Sequence, residues 1–580
     1  MNKIVKSSGI GSVAVLAGGG ASALLLALTA GPGSATTTLT VDTLTDGVAT
    51  ASDCLTPVTD SCSLRDAIAA AADGDVIVFE AGLAGTMTLT NGQLAVLVGV
   101  TITGTGSDQI TIDADGNSRV FYVGTSVSDV TISGMTITNG DAGQNYGGGI
   151  AFYNTGSVNL DHVIITGNSA SYGGGVYKSG DGSFSMTDST VSNNAASRDG
   201  GGLYLTFSTS EAVVTRTLIA GNTANNGGGI GANIPGDVTL IDCEVTGNTT
   251  LSYGGGGFFQ QSGDLIVDGS IFSDNESGSG GGGGIYVGSS GSATIADSAF
   301  SRNAANGGGF GGAMYFATTN QQIAISNSTL DSNSGNGSGA IYFGGSNSDV
   351  VINNSTIVGN EAVSANAGAF YKNRGGSLTI NQSTITANEA PSGGGIFLAA
   401  DVGGAVASTV VLSGSIVSAN TSTTNPDGAD IALVWTAGNS VSSDHSLLGD
   451  ISDGIVMTDL GGTITSSTPG LSPLADNGGV TMTMALLANS VALDAGPDPV
   501  AIFGGNGYDQ RGTPWLRVYN GQSDIGAFEV QPDPNPPTTT TSSTTTTTST
   551  TVTPTSTSTS VSPSTTTEAT GETVNPAFTG

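Results

Sequence analysis

From about residue 76 to residue 459, apolar residues come in short alternating runs, and the runs themselves recur. Aligned on Asn139, Asn168, Asn194, Asn222, Asn248, Asn275, Asn303, Asn333, Asn360, Asn388 and Asn420, the chain repeats every 26 to 32 residues. Three positions before the asparagine stands an apolar residue such as Ile165, Val191, Phe272, Leu330 or Ile385, and eight before it stands Leu160, Met186, Val214, Ile325 or Ile380. Five before it runs a small column of Val163, Ser189, Thr217, Cys243, Ser270, Ser298, Ser328, Ser355 and Ser383. These offsets follow the two-residue alternation of strands and not the 3.6-residue period of helices. A repeat of this length means stacked units that bury a core only together. Equivalent strands of successive units then pair in parallel about 4.8 Å apart, with right-handed crossovers. The pattern predicts an all-β chain whose residues 76–459 form a right-handed parallel β-helix, a solenoid of about 13 coils and roughly 60 Å.

A second pattern rides on the first. YGGGVYKS at 172–179 returns as DGGGLYLT at 199–206, GGGGIYVG at 281–288 and SGGGIFLA at 392–399. The glycines suit a tight turn, or a close approach to the next coil. The residue after them (Val176, Leu203, Ile230, Ile285) points inward by alternation, so the next points outward. That column reads Tyr177, Tyr204, Phe259, Tyr286, Tyr315, Tyr342, Tyr371 and Phe397, with Gly231 as its gap. A ladder of rings is expected up one face, thickened by Tyr146, Tyr172 and Tyr253. Neighbouring rings that stack on one another would account for it without a ligand; a platform for sugar rings is the second reading.

The ends differ from the middle. Residues 36–75 read as an N-terminal cap. Ser63-Leu64-Arg65-Asp66 is a capping-box pattern, followed by an alanine-rich run, and together they predict a short helix over 63–72 with Leu64, Ile68 and Ala71 on the face toward the first coil. Cys54 and Cys62 are close enough to form a disulfide pinning its start. Cys243 replaces serine in the interior column and is expected to be a buried small hydrophobe. After about 460 the period lapses, and residues 460–531 are expected to form a compact module over the other end of the rod. Residues 532–580 are Thr/Ser/Pro-rich, without core-forming residues, and read as a disordered extended stalk.

Charge narrows the function. The formal net charge is −34, which opposes binding to nucleic acid or to anionic lipid. Residues 1–35 have the basic start, apolar stretch and small-residue end of a secretory signal. Their removal deletes Lys3 and Lys6 and no acid, leaving ten Lys/Arg and a charge of −36. No later segment is long and apolar enough to span a membrane. A column six before the asparagine (His162, Asp188, Arg216, Asp242, Gly269, Asp297) alternates in sign and is expected to be a solvated charge ladder. Such a stripe could hold Ca²⁺, but no calcium motif supports it: GGNGYD at 504–509 occurs once and lacks the following apolar position. No catalytic residue and no metal ligand set can be named. Among the basic residues only Lys178, Arg198, Lys372 and Arg374 fall near the ladder face, where an enzyme would need carboxylates beside them.

Several stretches resemble known families. CSLRDA at 62–67 resembles the CSLREA-type N-terminal motif of exported bacterial repeat proteins, with Asp66 in place of Glu. The stretch from Asn477 through LDAG, DQRG and DIGAFE resembles the choice-of-anchor Q C-terminal domain. FSDN at 272–275, FSRN at 300–303 and GGAM at 311–314 resemble the repeats of polymorphic outer membrane proteins, although their autotransporter barrel has no counterpart here. PAFTG at 576–580 is similar to an LAxTG sortase signal with Pro576 in place of Leu, without the apolar helix and basic tail such a signal needs. The resemblance implies an exported, monomeric, adhesin-like β-helical protein, secreted or held at the cell surface, with attachment to the cell wall through the stalk left open. Polysaccharide or another cell surface is the expected partner. The alternative is a polysaccharide lyase or glycoside hydrolase of the β-helix type.

Overall fold

The computed structural model describes residues 36–56, 59–207, 210–288, 291–317, 319–364, 366–373, 375–399, 407–425, 427–434, 439–497 and 507–533. The expected signal at 1–35, the stalk from residue 534 and the PAFTG end lie outside them, as do Arg374 and Gly504–Asn506 of the GGNGYD loop.

The described chain is a parallel β-helix. Four parallel sheets run its length, with 16, 15, 13 and 10 strands. The coil at 158–179 shows how one turn is built: Val158–Asp161 in the first sheet, Ile164–Thr166 in the second, the two-residue strand Ser169–Ala170 in the third, and Val176–Ser179 in the fourth. Each strand pairs in register with its equivalent one coil on, as Val158 with Phe184, Ile165 with Val191 and Val176 with Leu203. The alternation read along the chain thus becomes an inside and an outside. Leu160, Met186, Val214, Ile165, Val191 and Val245 are fully buried in one continuous core.

Glycines enforce the turn before the fourth sheet. Gly173 has φ +62, and a Cβ there would lie 2.3 Å from the carbonyl oxygen of Val176. Gly174 has ordinary φ but no room, because a Cβ would come within 2.5 Å of the Ala195 and Gly201 carbonyls of the next coil. Only glycine meets both demands.

Inside the turn after the second sheet runs a column of buried asparagines. Asn275 Nδ2 donates to Asn303 Oδ1 at 2.9 Å and to the Val245 carbonyl at 2.8 Å, while its backbone N–H donates to the same Asn303 oxygen at 3.2 Å. The bonds repeat from Asn168 to Asn420. The column ends on a carboxylate, with Asn420 Nδ2 donating to Asp430 Oδ1 at 2.8 Å. Asn139 is not part of it. It is exposed with φ +53, and Gly140 holds the ladder position, its N–H donating to Asn168 Oδ1 at 2.8 Å. The serine column makes a parallel chain, each N–H donating to the next hydroxyl, as Ser270 to Ser298 at 3.1 Å. Cys243 fits into it, buried, with its thiol against the Val214 and Ile241 carbonyls at 3.3 and 3.4 Å. Burial pushes that thiol up to about 11.

At the N-terminal end, helices α1 (Ser52–Leu55) and α2 (Leu64–Ala70) close the core. The capping box forms: Asp66 N–H donates to Ser63 Oγ at 3.2 Å and Ser63 N–H to Asp66 Oδ2 at 3.1 Å. Leu64, Ala67 and Ile68 are buried beneath the helix, and Ala71 is already extended. A disulfide joins Cys54 to Cys62. Arg65 holds Asp46 with two bonds of 2.7 and 3.1 Å and reaches the carbonyls of Gly92 and Gln93.

The segment after 466 differs from the expected end cover. It lies along the flank of the rod, on the second sheet. Thr329 Oγ1 donates to the Met482 carbonyl at 2.5 Å, Thr356 Oγ1 to Gln510 Oε1 at 2.6 Å, and Ala527 N–H to Thr384 Oγ1 at 3.0 Å. The physical reason is the outward column of that sheet. It changes from Leu218, Glu244, Ile271 and Ala299 to Thr329, Thr356 and Thr384, which offer hydrogen bonds to a covering strap. The last strand of the first sheet, Val456–Gly461, stays open, with Val456 and Leu460 67% and 63% exposed.

Replacing Asn275 by Leu orphans the buried Asn248 donors and the Val245 carbonyl. At about 1–3 kcal/mol for each unsatisfied group, urea unfolding should show a loss of about 3 kcal/mol or more. Asn139→Gly, at an exposed left-handed site, should stay within about 0.5 kcal/mol of the parent.

Candidate functional site

The aromatic column is a true row in space. Tyr177 pairs with Tyr204, Tyr204 with Gly231 and Gly231 with Phe259. Phe259, Tyr286, Tyr315, Tyr342, Tyr371 and Phe397 follow one per coil. Ring centroids in this second block are 5.1, 4.9, 5.0, 5.0 and 5.2 Å apart in turn. Tyr286 and Tyr315 differ in plane by only 8°. Parallel rings that close cannot lie side by side in one plane, so they are offset-stacked. Each ring turns much of its face to its neighbours along the rod, and the row presents ring edges and phenol oxygens outward. A flat platform of open faces is therefore not what the column forms.

Exposure is also uneven. Tyr177 and Phe397 are buried, at 7% and 1% exposure, the latter packed with Ala367, Ala399 and Ala432. Tyr204 and the rings from Phe259 to Tyr371 are half-buried. Burial raises the phenols of Tyr204, Tyr286 and Tyr371 and pushes Tyr315 up to about 12. All four are hydroxyl donors at neutral pH.

The first block is a cluster instead of a row. Tyr122 packs on Tyr153 at 5.5 Å, Tyr153 on Tyr146 and Tyr177, and Tyr146 stacks on Tyr172 at 5.3 Å. An arginine stands at each end, Arg119 over Tyr122 at 5.8 Å and Arg198 over Tyr172 at 5.5 Å. Arg198 also donates to the Tyr172 hydroxyl at 3.0 Å. Tyr122 and Arg119 escape a reading based on glycine turns, because their coil has no such triplet, and Tyr153 falls outside the column, three residues beyond the Ile150 that follows Gly147–Gly149. The available signal was the register, since Tyr122 lies in the ladder column two coils before Tyr177.

Between the blocks, at Gly231, the row is broken. Among the described residues no ring stacks on the Gly231 side of Phe259. Beside it opens a cleft of about 230 Å³ lined by Asn226, Tyr253, Gly254, Phe259, Gly280 and Tyr286.

Two lysines of the ladder face turn out to be interior. Lys178 pairs in register with Phe152 and Leu205, and Lys372 with Phe343 and Leu398, all inward. Lys178 Nζ donates to the carbonyls of Asn154, Ser179 and Gly180 at 2.9, 2.9 and 3.1 Å, and Lys372 Nζ to that of Gly375. Burial brings both ammonium groups down to about 8. With both side chains inside the coil, neither can serve as a base in an external groove.

The charge column occupies the turn between the first and second sheets. His162, Asp188, Arg216, Asp242 and Asp297 all have φ between 45° and 51°. Arg216 forks onto Asp188, at 2.7 and 2.8 Å, and also feels the charge of Asp242. Asp161, His162 and Asp188 bring one ligand atom each within 4.8 Å of the others, at the surface. This trio could meet a cation, but Arg216 already neutralises Asp188. Asp509 of the GGNGYD stretch is buried and bound by Arg511 at 2.6 Å; the Arg511 guanidinium lies 3.8 Å from the Trp515 ring and 3.8 Å from that of Phe528. This is a structural knot of the flanking strap.

Fold and site together define a parallel β-helix protein with an aromatic face. Residues 174–345 match the family described as "Right handed beta helix region", which sets the hand of the coil. Among solved structures the chain is similar to the crystal structure of pectate lyase Pel9A, at 13% identity and a TM-score of 0.29, over 86% of this chain and 97% of that one. No curated protein matches it.

Absorbance at 295 nm should follow the phenols directly. Of the 13 tyrosines, Tyr177, Tyr204, Tyr286, Tyr315 and Tyr371 should ionise above the ordinary range near 10, and guanidinium should bring them back to it. A raised folded value means the protonated phenol contributes stability below pH 10, and that contribution is lost as pH climbs through about 12, the value for Tyr315.

Proposed function

We propose that the chain is an exported, non-catalytic surface protein that holds polysaccharide along its aromatic face. The observation that carries this reading is the second block, where a phenol or phenyl edge recurs once per coil at 4.9–5.2 Å. That period is comparable with the length of one pyranose residue. A polymer lying along the rod meets a tyrosine hydroxyl on each of the four coils from Tyr286 to Tyr371 and a phenyl edge at Phe259, and many weak contacts add through a shared backbone. Mutual stacking of the rings stabilises the coils as well, and it is what holds the hydroxyls in a rigid line.

The enzymatic alternative has less behind it, because Lys178 and Lys372 are spent on interior carbonyls. The signal-like start, the CSLRDA segment and the Thr/Ser-rich end support export and display at a cell surface.

The test keeps the stack and removes the hydroxyls. Tyr286→Phe, Tyr315→Phe and Tyr371→Phe combined should leave the melting temperature unchanged, with Tyr342 kept because its hydroxyl accepts from Asn373 Nδ2 at 3.2 Å. Retention on immobilised polysaccharide should fall more than about tenfold, at roughly 0.5–1.5 kcal/mol per lost hydrogen bond. No new reducing or unsaturated ends should appear with the unaltered protein; their appearance would make it an enzyme.

A further inference from the structure

The cleft at Gly231 differs from the rest of the ladder in what it leaves open. Everywhere else in the second block a ring face is covered by the ring of the next coil. At the break the column residue has no side chain, and Phe259 keeps one face free of aromatic neighbours. Gly231 cannot be filled cheaply, since a Cβ would lie 3.0 Å from the Tyr204 ring and 3.1 Å from the Gly200 nitrogen. The glycines of the lining let its walls pack closely: a Cβ on Gly254 would fall 2.6 Å from the Tyr286 ring, and one on Gly280 would fall 2.6 Å from the Gly254 nitrogen.

The rim is equally specific. Tyr253 is 62% exposed, the most exposed ring of this face, and Leu251 beside it is 67% exposed. Their loop is held rigidly from below: Tyr253 N–H donates to the Asn225 carbonyl at 3.1 Å, and Thr250 Oγ1 donates to the Tyr253 carbonyl at 2.8 Å. Opposite lies the amide of Asn226, oriented by its Nδ2 bond to Asp199 Oδ1 at 2.6 Å. The site thus combines aromatic walls, one oriented amide and no Lys or Arg.

Resting on the polysaccharide reading above, we propose that this cleft is the recognition subsite of the aromatic face, taking a single uncharged pyranose ring. Pockets for drug-sized ligands run to about 300–1,000 Å³, so a cleft of 230 Å³ suits one ring. The sugar lays its C–H face against Phe259 and Tyr253, and Asn226 meets a ring hydroxyl. An acidic sugar is disfavoured, because the Asp199 carboxyl lies behind Asn226, the lining holds no cation, and the chain carries a net charge of −34. The remaining ladder then carries the rest of the polymer, with the cleft setting where it starts.

The test is affinity electrophoresis of the folded protein through gels containing neutral glucan, mannan or xylan, or polygalacturonate. Tyr253→Ala removes an exposed ring and should leave the melting temperature in place. It should weaken retardation by the neutral polymer more than about fivefold, the effect of losing about 1 kcal/mol at a central contact. Asn226→Asp should weaken it too, and polygalacturonate should retard the parent least. Unchanged retardation of Tyr253→Ala, with loss in the triple Phe variant of the ladder, overturns the subsite and leaves the ladder reading standing. Strongest retardation by polygalacturonate overturns the neutral-sugar assignment. If no polymer retards the parent, both readings fall.

Discussion

One buried amide per coil holds this structure in register. A solenoid turns its chain sharply in every winding, and each corner leaves backbone groups inside that no strand satisfies. Here the Asn168–Asn420 column supplies the missing partners. Each side chain takes the N–H and amide of the coil before it and gives its own amide to the coil after it and to a carbonyl of the coil before. Because an unpaired buried amide is costly, a coil displaced by one residue would break bonds on both sides. The aromatic row, the serine column and the charged turns inherit their alignment from that constraint.

The same register explains what could and could not be read along the chain. Columns are visible wherever a repeat keeps one residue type at one offset, so the asparagines, the serines and most of the rings stand out unaided. Position is lost where the type changes. Gly140 carries the first ladder position while Asn139, one residue earlier, carries the look-alike; Asp430 ends the column without being an asparagine. Lys178 and Lys372 mislead for a different reason. Alternation from Val176 and Phe370 already places them inside, but charge argues for the surface, and only the backbone carbonyls, three at Lys178 Nζ and that of Gly375 at Lys372 Nζ, show how an ammonium is accommodated there. Tyr122 lacks the glycine triplet that flags its successors, and Tyr153 lies two residues past the column position, which Ala151 holds in its coil. The strap beyond 466 was invisible as a flanking element because its docking depends on threonines of two coils, Thr329 and Thr356, meeting one glutamine, Gln510, across 181 and 154 residues of sequence, with Thr384 of a third coil meeting Ala527.

Offset stacking changes what the aromatic face can do. A ring whose faces are spent on its neighbours offers a hydroxyl and an edge, while a ring at an interruption offers a face. Gly231 therefore converts a uniform structural stack into one with a distinguished point, and on the proposed polysaccharide reading that point is where recognition would be set. Regular rows give avidity without position; a single break supplies position.

The flanking strap also has a mechanical meaning. It is bonded to coils containing Asn327, Thr356, Thr384 and Gly414, so load applied at its C-terminal end near residue 532 is shared among several windings. Tension entering there is met first at Gly526 and Ala527, several windings inside the rod. Load borne across bonds in parallel is resisted as shear; load on the open final strand would peel one winding at a time.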